Sequence, residues 1–258
     1  MPTDNGDRLS KDAIIGALNA RQIKLAFQPI VDARTHTVHH YECLLRMLDE
    51  DGGVLPAFRV IASAEALGLV PLLDRRALEL AARTMIGRRD VFLALNVSAQ
   101  TVADTAAAED YLDALRMLGP AAGRLTLELT ETVAVEDPAL VAQFAERARR
   151  LGCRFAIDDF GSGHTSFRNL MAIEADELKI DGDFVDDVLT CRKSQTFVRM
   201  LVDLAGTFGV ETVAERVETE AVADRLRDLG VDRLQGYWFG RPEMWGQHRV
   251  VHAEAGAV

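Results

Sequence analysis

Cysteine is scarce in this chain of 258 residues: three in all, Cys43, Cys153 and Cys191. An odd number with no C-x-x-C pair argues against a disulfide scaffold and a structural zinc site, and makes a reducing cytosol the expected compartment. Long apolar runs are missing as well; none approaches the ~18 residues that a membrane-spanning helix needs. The first residues, MPTDNGDRLSKD, are polar and carry acids, unlike a signal peptide. Basic residues are in the minority, 29 against 40 acidic ones, a formal charge of −11. Such a chain lacks the electrostatic footprint of a nucleic-acid-duplex binder. An anionic substrate would have to be drawn in by something other than net charge, and a bound divalent cation would serve. Repeats, low-complexity stretches and linkers are absent.

What is present is a large apolar fraction, 48%, and a recurring unit of amphipathic helix, glycine, short apolar strand and polar residue. In its clearest copy, Asp137-Pro138 supplies a helix N-cap and first residue. Leu140, Val141, Phe144, Ala148 and Leu151 fall on one helical face. Gly152 ends the helix, and CRFAI runs into Asp158. The same grammar appears in Phe197–Phe208, Gly209 and VETVA before Glu215. It appears again in Ala221–Leu229, Gly230 and VDRL before Gln235. Upstream, Leu72–Ile86 precedes VFLAL and Asn96, and Tyr111–Leu118 precedes LTL and Glu128. This many units in about 250 residues predicts a closed (β/α)8 TIM-like barrel rather than an open doubly wound sheet. The first two strands are expected near Leu25–Pro29 and Val38–Leu44. Residues 1–10 read as a flexible N-terminal tail, 11–250 as one barrel domain and 251–258 as a C-terminal tail.

The residues expected to terminate the strands are Glu42, Asn96, Glu128, Asp158 with Asp159, Lys179, Glu215 and Gln235. In such a barrel these ends converge on one face, where active sites lie. Any one of them could merely cap the rim; the whole series argues for a site. Carboxylates and an amide oxygen are hard ligands, suited to Mg2+ or Mn2+ and not to zinc. The adjacent aspartates of FAIDDFGSGHTSF, Phe155 to Phe167, would repel one another unless a cation is expected there. Two ions ~3.5–4 Å apart are a common device for in-line phosphate-ester cleavage. Residue chemistry alone also admits another metal-dependent barrel enzyme, such as one acting on an enolate.

From AFQPIVD at Ala26 to QGYWFGRP ending at Pro242, the sequence resembles the EAL-domain family of cyclic di-GMP phosphodiesterases. The likeness rests on ECLLR, LNVS, ELTE, DDFGSG, LKID, AERVET and QGYWFGRP, in order. It implies an EAL-type barrel with a first strand that can run antiparallel. Glu42, Asn96, Glu128 and Asp158 would hold a first metal. Asp158 and Asp159 would hold a second, with Glu215 nearby. Lys179 would orient or help deprotonate the attacking water, and Gln235 would support the site by hydrogen bonding. Gln28, Leu44, Arg46, Asp181, Gln235 and Pro242 match positions that contact the dinucleotide. Glu131 would anchor the loop GSGHTS. Two Mg2+ or Mn2+ ions per site are implied, with Ca2+ binding but inhibiting. The implied reaction opens cyclic di-GMP to linear pGpG in the bacterial cytoplasm. A homodimer through the loop and helices after the aspartate pair is implied, as is a regulatory domain or protein partner. The alternative is a weak or inactive receptor that signals by binding cyclic di-GMP.

Three departures from the family pattern bear on this. Cys43 stands for an alanine and, by strand alternation, should face away from the metals. Arg216 stands for a glycine; if φ there is positive, an arginine is strained, and it could pair with Glu215. His164 and Thr165 stand for Tyr-Ser in the loop. His39 and His40, as strand neighbours, should point to opposite sides and share no ion. Trp238 and Trp245 are expected in the core or at an interface.

Overall fold

A computed structural model describes residues 8–130, 138–161 and 174–245. Eight strands close a barrel: β1 (Ile23–Asp32), β2 (Val38–Met47), β3 (Leu93–Asn96), β4 (Leu125–Thr130), β5 (Arg154–Phe160), β6 (Glu177–Ile180), β7 (Glu211–Ala214) and β8 (Arg233–Gln235). Neighbours from β2 to β8 are parallel. β1 closes the ring antiparallel to both β2 and β8, as the resemblance allowed. A short β9 (Glu243–Met244) pairs with β1 outside the ring.

The helices follow the glycine punctuation. α1 (Lys11–Asn19) starts at Ser10, whose hydroxyl accepts the Ala13 N–H. Ahead of it, the Leu9 N–H donates to Ser63 Oγ; residues 1–7 of the expected tail and the C-terminal tail lie outside the described residues. α2 (Ala57–Ala66) and α3 (Val70–Met85) precede β3, and α4 (Ala99–Ala103) and α5 (Thr105–Leu118) precede β4. α6 (Pro138–Arg150) precedes β5, the short α7 (Gly182–Val185) and long α8 (Arg192–Phe208) precede β7, and α9 (Glu220–Leu229) precedes β8. Gly209 and Gly230 end α8 and α9 in the left-handed region, which glycine enters without a Cβ clash. Among the described residues no helix is long and apolar enough to cross a membrane.

Strand alternation divides the barrel wall. Leu125, Leu127 and Leu129, Phe155 and Ile157, and Leu178 and Ile180 belong to the main apolar cluster, with Tyr111, Phe144, Val198 and Leu201 from the helices. The intervening residues are Thr126 and Glu128, Arg154 and Asp158, Glu177 and Lys179. Most barrels of this kind fill their interior with branched apolar side chains. Here the interior carries charge from one end to the other, and stability falls to the helix–strand layer.

Two expectations need correction. Glu42, Glu128, Asp158, Asp159 and Lys179 do not terminate their strands: β2 continues to Met47, β4 to Thr130, β5 to Phe160 and β6 to Ile180. Depth in the barrel, not strand ending, brings them together. His39 and His40 do not diverge either; their Nδ1 atoms lie 2.9 Å apart. The β1–β2 register shifts between Ile30↔His40 and Val31↔Val38. His39 is therefore the extra residue of a bulge, which re-aims a side chain.

Candidate active site

The centre of the site is Lys179, buried to 1% exposure on β6. Its Nζ lies 2.7 Å from Glu215, 2.9 Å from Asp158, 3.2 Å from Glu128 and 3.7 Å from Glu42. Four carboxylates thus face one ammonium. Burial works against the lysine's charge, but Asp158, Glu128, Glu215 and Glu42 outweigh it and hold its pKa well above the usual value. The carboxylates bear the cost. Burial drives Glu128 well above the ordinary carboxylate range, with Lys179 pulling the other way. Burial also pushes Glu215 up to about 8, again against Lys179.

Asp159 shows how two neighbouring aspartates serve one site. On a regular strand they would point to opposite faces. Here the β5–β6 register shifts between Ile157 and Phe160, and Asp159 takes a left-handed φ of 55°. Aspartate tolerates that region better than most residues. The result is a cluster in which carboxylate oxygens of Asp158, Asp159 and Glu215 lie within 4.8 Å of one another. The Asp159 N–H donates to Asp158 Oδ1 at 3.0 Å. Burial, then the neighbouring Asp158 charge, pushes Asp159 up to about 6.

Amides orient the far side of the site. Asn96 Nδ2 donates to Glu42 Oε1 at 3.0 Å, and Gln235 Nε2 donates to Glu42 Oε2 at 2.6 Å. Gln235 also donates to Gln28 Oε1, and Gln28 donates to the Gly240 carbonyl. Glu128 Oε1 and Gln235 Oε1 are buried with no hydrogen-bond partner among the described residues. The Gln235 oxygen can only accept, and so can Glu128 as a carboxylate, so each suits a cation or a donor from outside the chain. The donor set of the cluster is entirely oxygen, which fits a hard divalent cation and not a soft one.

A cleft of about 410 Å³ opens over the cluster. Gln28, Glu42, Leu44, Asp158, Lys179, Glu215 and Gln235 line it, all named from the sequence. A second cavity of about 490 Å³ adjoins it across Leu44, with Arg46 and Asn96 in its wall. Cys43 is buried in that second wall and in the main apolar cluster, on the other side of β2 from Glu42. Asp181 is absent from the walls of both cavities; it caps α7 and is paired to Arg216. Pro242 is half-buried between β8 and β9. Glu131, His164 and Thr165 lie outside the described residues. Trp245 packs edge-on against Phe27 and Tyr41, and Trp238 packs on the main core.

Arg216 has the feared backbone but not the feared partner. Its φ is 53°, yet its guanidinium reaches Asp181, Asp183 and Asp186 and leaves Glu215 to Lys179. With Glu218, Gly236 and Tyr237 it completes the first cleft. Attention to strand ends missed these four as wall residues, because they follow Glu215 and Gln235 in the loops. The signal available was proximity in sequence to those two residues.

A family model described as "EAL domain" matches residues 11–242. The cyclic di-GMP phosphodiesterase PdeB of Shewanella oneidensis is 30% identical over 89% of this chain and 28% of its own length. The cyclic di-GMP phosphodiesterase NbdA of Pseudomonas aeruginosa is 32% identical over 88% of this chain and 30% of its own. The chain thus spans about a third of the length of the curated relatives it matches. A solved structure titled "PaMucR Phosphodiesterase, c-di-GMP complex" superposes with a TM-score of 0.84 at 32% identity, over 91% of this chain and 97% of that one.

Proposed function

This chain belongs to the EAL domain family, and on that premise we propose that it hydrolyses cyclic di-GMP to linear pGpG by in-line attack of water. One observation carries the reading: more buried carboxylate charge gathers around Lys179 than the chain itself neutralises. Glu42, Asn96, Glu128 and Asp158 would hold one divalent cation, and Asp158, Asp159 and Glu215 a second. Bound there, Mg2+ or Mn2+ would supply Lewis-acid polarisation of the phosphate and a lowered pKa for the attacking water.

The chain's own residues then have defined tasks. Asn96 and Gln235 fix both oxygens of Glu42, so that carboxylate does not rotate when ligand arrives. Lys179 keeps its proton and offers it between Asp158 and Glu215, where it can orient the water and steady the developing charge. Gln28 and Leu44 line the cleft for one part of the dinucleotide. Arg46, in the adjoining wall, carries a planar fork matched to phosphate. Exposed Leu189, and Met200 and Phe208 on α8, support a homodimer contact beyond β6; light scattering at assay concentration should then return twice the chain mass, and a monomer would remove this part.

The test is purified chain with cyclic di-GMP and Mg2+, Mn2+, Ca2+ or EDTA, with products separated by anion exchange. Linear pGpG is expected with Mg2+ and Mn2+ and not with Ca2+ or EDTA. Binding of the dinucleotide with no turnover under any metal would replace this reading by that of a receptor.

A further inference from the structure

We infer that Arg216 is a positioning residue: a strap from the loop after β7 to the loop after β6 that holds Glu215 beside Asp158 and Asp159. The metal part of this inference rests on the function proposed above. The strap itself rests on the geometry of the two segments it joins.

The backbone on either side of Arg216 is fastened to different strands. The Glu215 N–H donates to the Ile180 carbonyl of β6, and the Val217 N–H donates to the Gln235 carbonyl of β8. Gly236 packs so tightly on Val217 that a Cβ there would overlap its backbone. The single residue between these anchors must turn, and Arg216 does so at a φ of 53°. Glycine is the ordinary occupant of such a turn. An arginine there adds strain without adding anything to the turn, so its value lies in the side chain.

That side chain crosses to the next loop. Its Nη2 reaches Asp181 Oδ1 at 3.2 Å and Asp183 Oδ1, and its Nη1 reaches Asp186 Oδ2 at 3.3 Å. It lies directly over Gly182, where any Cβ would overlap the guanidinium Nε. Asp181, Gly182, Asp183 and Asp186 all follow Lys179 within seven residues, and Glu215 immediately precedes Arg216. The strap therefore joins the segment that follows Lys179 to the loop that carries Glu215, the two partners of the shortest ion pair of the cluster at 2.7 Å. All three carboxylate partners are solvent-reachable to some degree, at 15%, 81% and 55%. Ion pairs of that kind add little to global stability. Their effect is local, on where Glu215 is held.

The test compares Arg216→Ala, Arg216→Gly, Arg216→Lys, Gly182→Ala and the double change Arg216→Ala with Gly182→Ala. Mn2+ affinity is read by electron paramagnetic resonance without substrate, beside melting temperature and the kcat and KM for cyclic di-GMP. Arg216→Ala should weaken Mn2+ binding about tenfold, the lower end of what loss of an outer partner costs a metal site. Melting should shift by only a few degrees. Gly182→Ala evicts the guanidinium with every charge still present, so it should weaken Mn2+ to a similar extent, and the double change should be no worse than either single one. Arg216→Gly relieves the turn yet should bind Mn2+ as weakly as Arg216→Ala, while Arg216→Lys should recover part of the loss. Wild-type Mn2+ affinity in Arg216→Ala or Arg216→Gly, or additive losses in the double change, would overturn the strap. If wild-type chain leaves cyclic di-GMP intact, the proposed reaction fails, and the Mn2+ titrations still decide the strap.

Discussion

At the floor of the barrel Arg154 and Arg233 meet Glu177 and Glu211, two cations against two anions. Two to four residues further along the same strands, at the mouth, Lys179 meets four carboxylates. Both ends are polar, with Glu177 and Arg233 of the floor buried and Arg154 and Glu211 partly exposed, yet only the floor matches cation to anion. At the floor Arg233 bonds Glu177 at 3.0 Å and Glu211 at 2.6 Å, and Arg154 bonds Glu211 at 2.6 Å. Burial and the neighbouring His39 and Arg233 keep His40 neutral, well below its usual pKa. Burial raises Glu211, but its bonds to Arg154 and Arg233 win and its pKa falls below the ordinary value. Burial prevails for Glu177 on the floor, which is raised despite Arg233 and Arg154, and at the mouth it prevails for Glu128, Glu215 and Asp159. A network with as many cations as anions is a structural element. A surplus of buried charge is an invitation to a ligand of the opposite sign.

The largest effect should come from removing a carboxylate at the mouth. Glu128→Gln, Asp158→Asn and Glu42→Gln should each lower kcat/KM by more than the ~100-fold that loss of an outer metal partner can cost. Steady-state hydrolysis with saturating Mn2+ measures this, and a variant within tenfold of wild type would break the comparison. The floor should answer in a different observable. Arg233→Met leaves Glu177 buried and without its nearest cation, and should destabilise the fold by ~3–5 kcal/mol. Urea unfolding reads that loss, while kcat/KM of the protein that remains folded should stay within a few-fold of wild type.

Glu215 at the mouth and His40 at the floor should also respond oppositely to pH. Burial pushes Glu215 up to about 8 in the folded chain, from an ordinary 4.5. Between those values the unfolded chain releases a proton that the folded one keeps, so the metal-free protein loses stability as pH rises. His40 acts in the other direction: its folded pKa is depressed from 6.5, so its contribution is lost as pH falls below that value. Glu215→Gln should flatten the loss between pH 5 and 8, and His40→Gln should flatten the loss below pH 6.5, each in chemical denaturation with EDTA present. The smallest effect should come from Cys43→Ala, on the other side of β2 from Glu42. Removing one buried sulfur should cost about 1 kcal/mol of stability and leave turnover within twofold.

Much of this was legible in the sequence because barrel strands repeat a simple grammar. Gly152, Gly209 and Gly230 each mark a helix end, and apolar runs after them mark strands. The mouth residues were legible because a polar residue after an apolar run is conspicuous, even where the strand continues past it. The floor was not, although the period-two pattern held it: Arg154 precedes Asp158 by four, Glu177 precedes Lys179 by two, Arg233 precedes Gln235 by two. Taking each strand's last polar residue stopped the count too soon. Glu42 was assigned to the site but misplaced to the end of a strand that runs on to Met47. The bulges at His39 and Asp159 break alternation locally, and no spacing rule announces them. The Arg216 strap joins residues about thirty apart through a left-handed turn, a contact that only the folded chain defines.

We propose that the surplus carboxylates at the mouth would hold two divalent cations. The direct measurement is the number of Mn2+ ions bound per chain, by electron paramagnetic resonance at pH 8, in wild type and in Asp158→Asn. The account predicts two ions in wild type, with at least one lost in the variant. Fewer than two ions in wild type, or an unchanged count in Asp158→Asn, would contradict it.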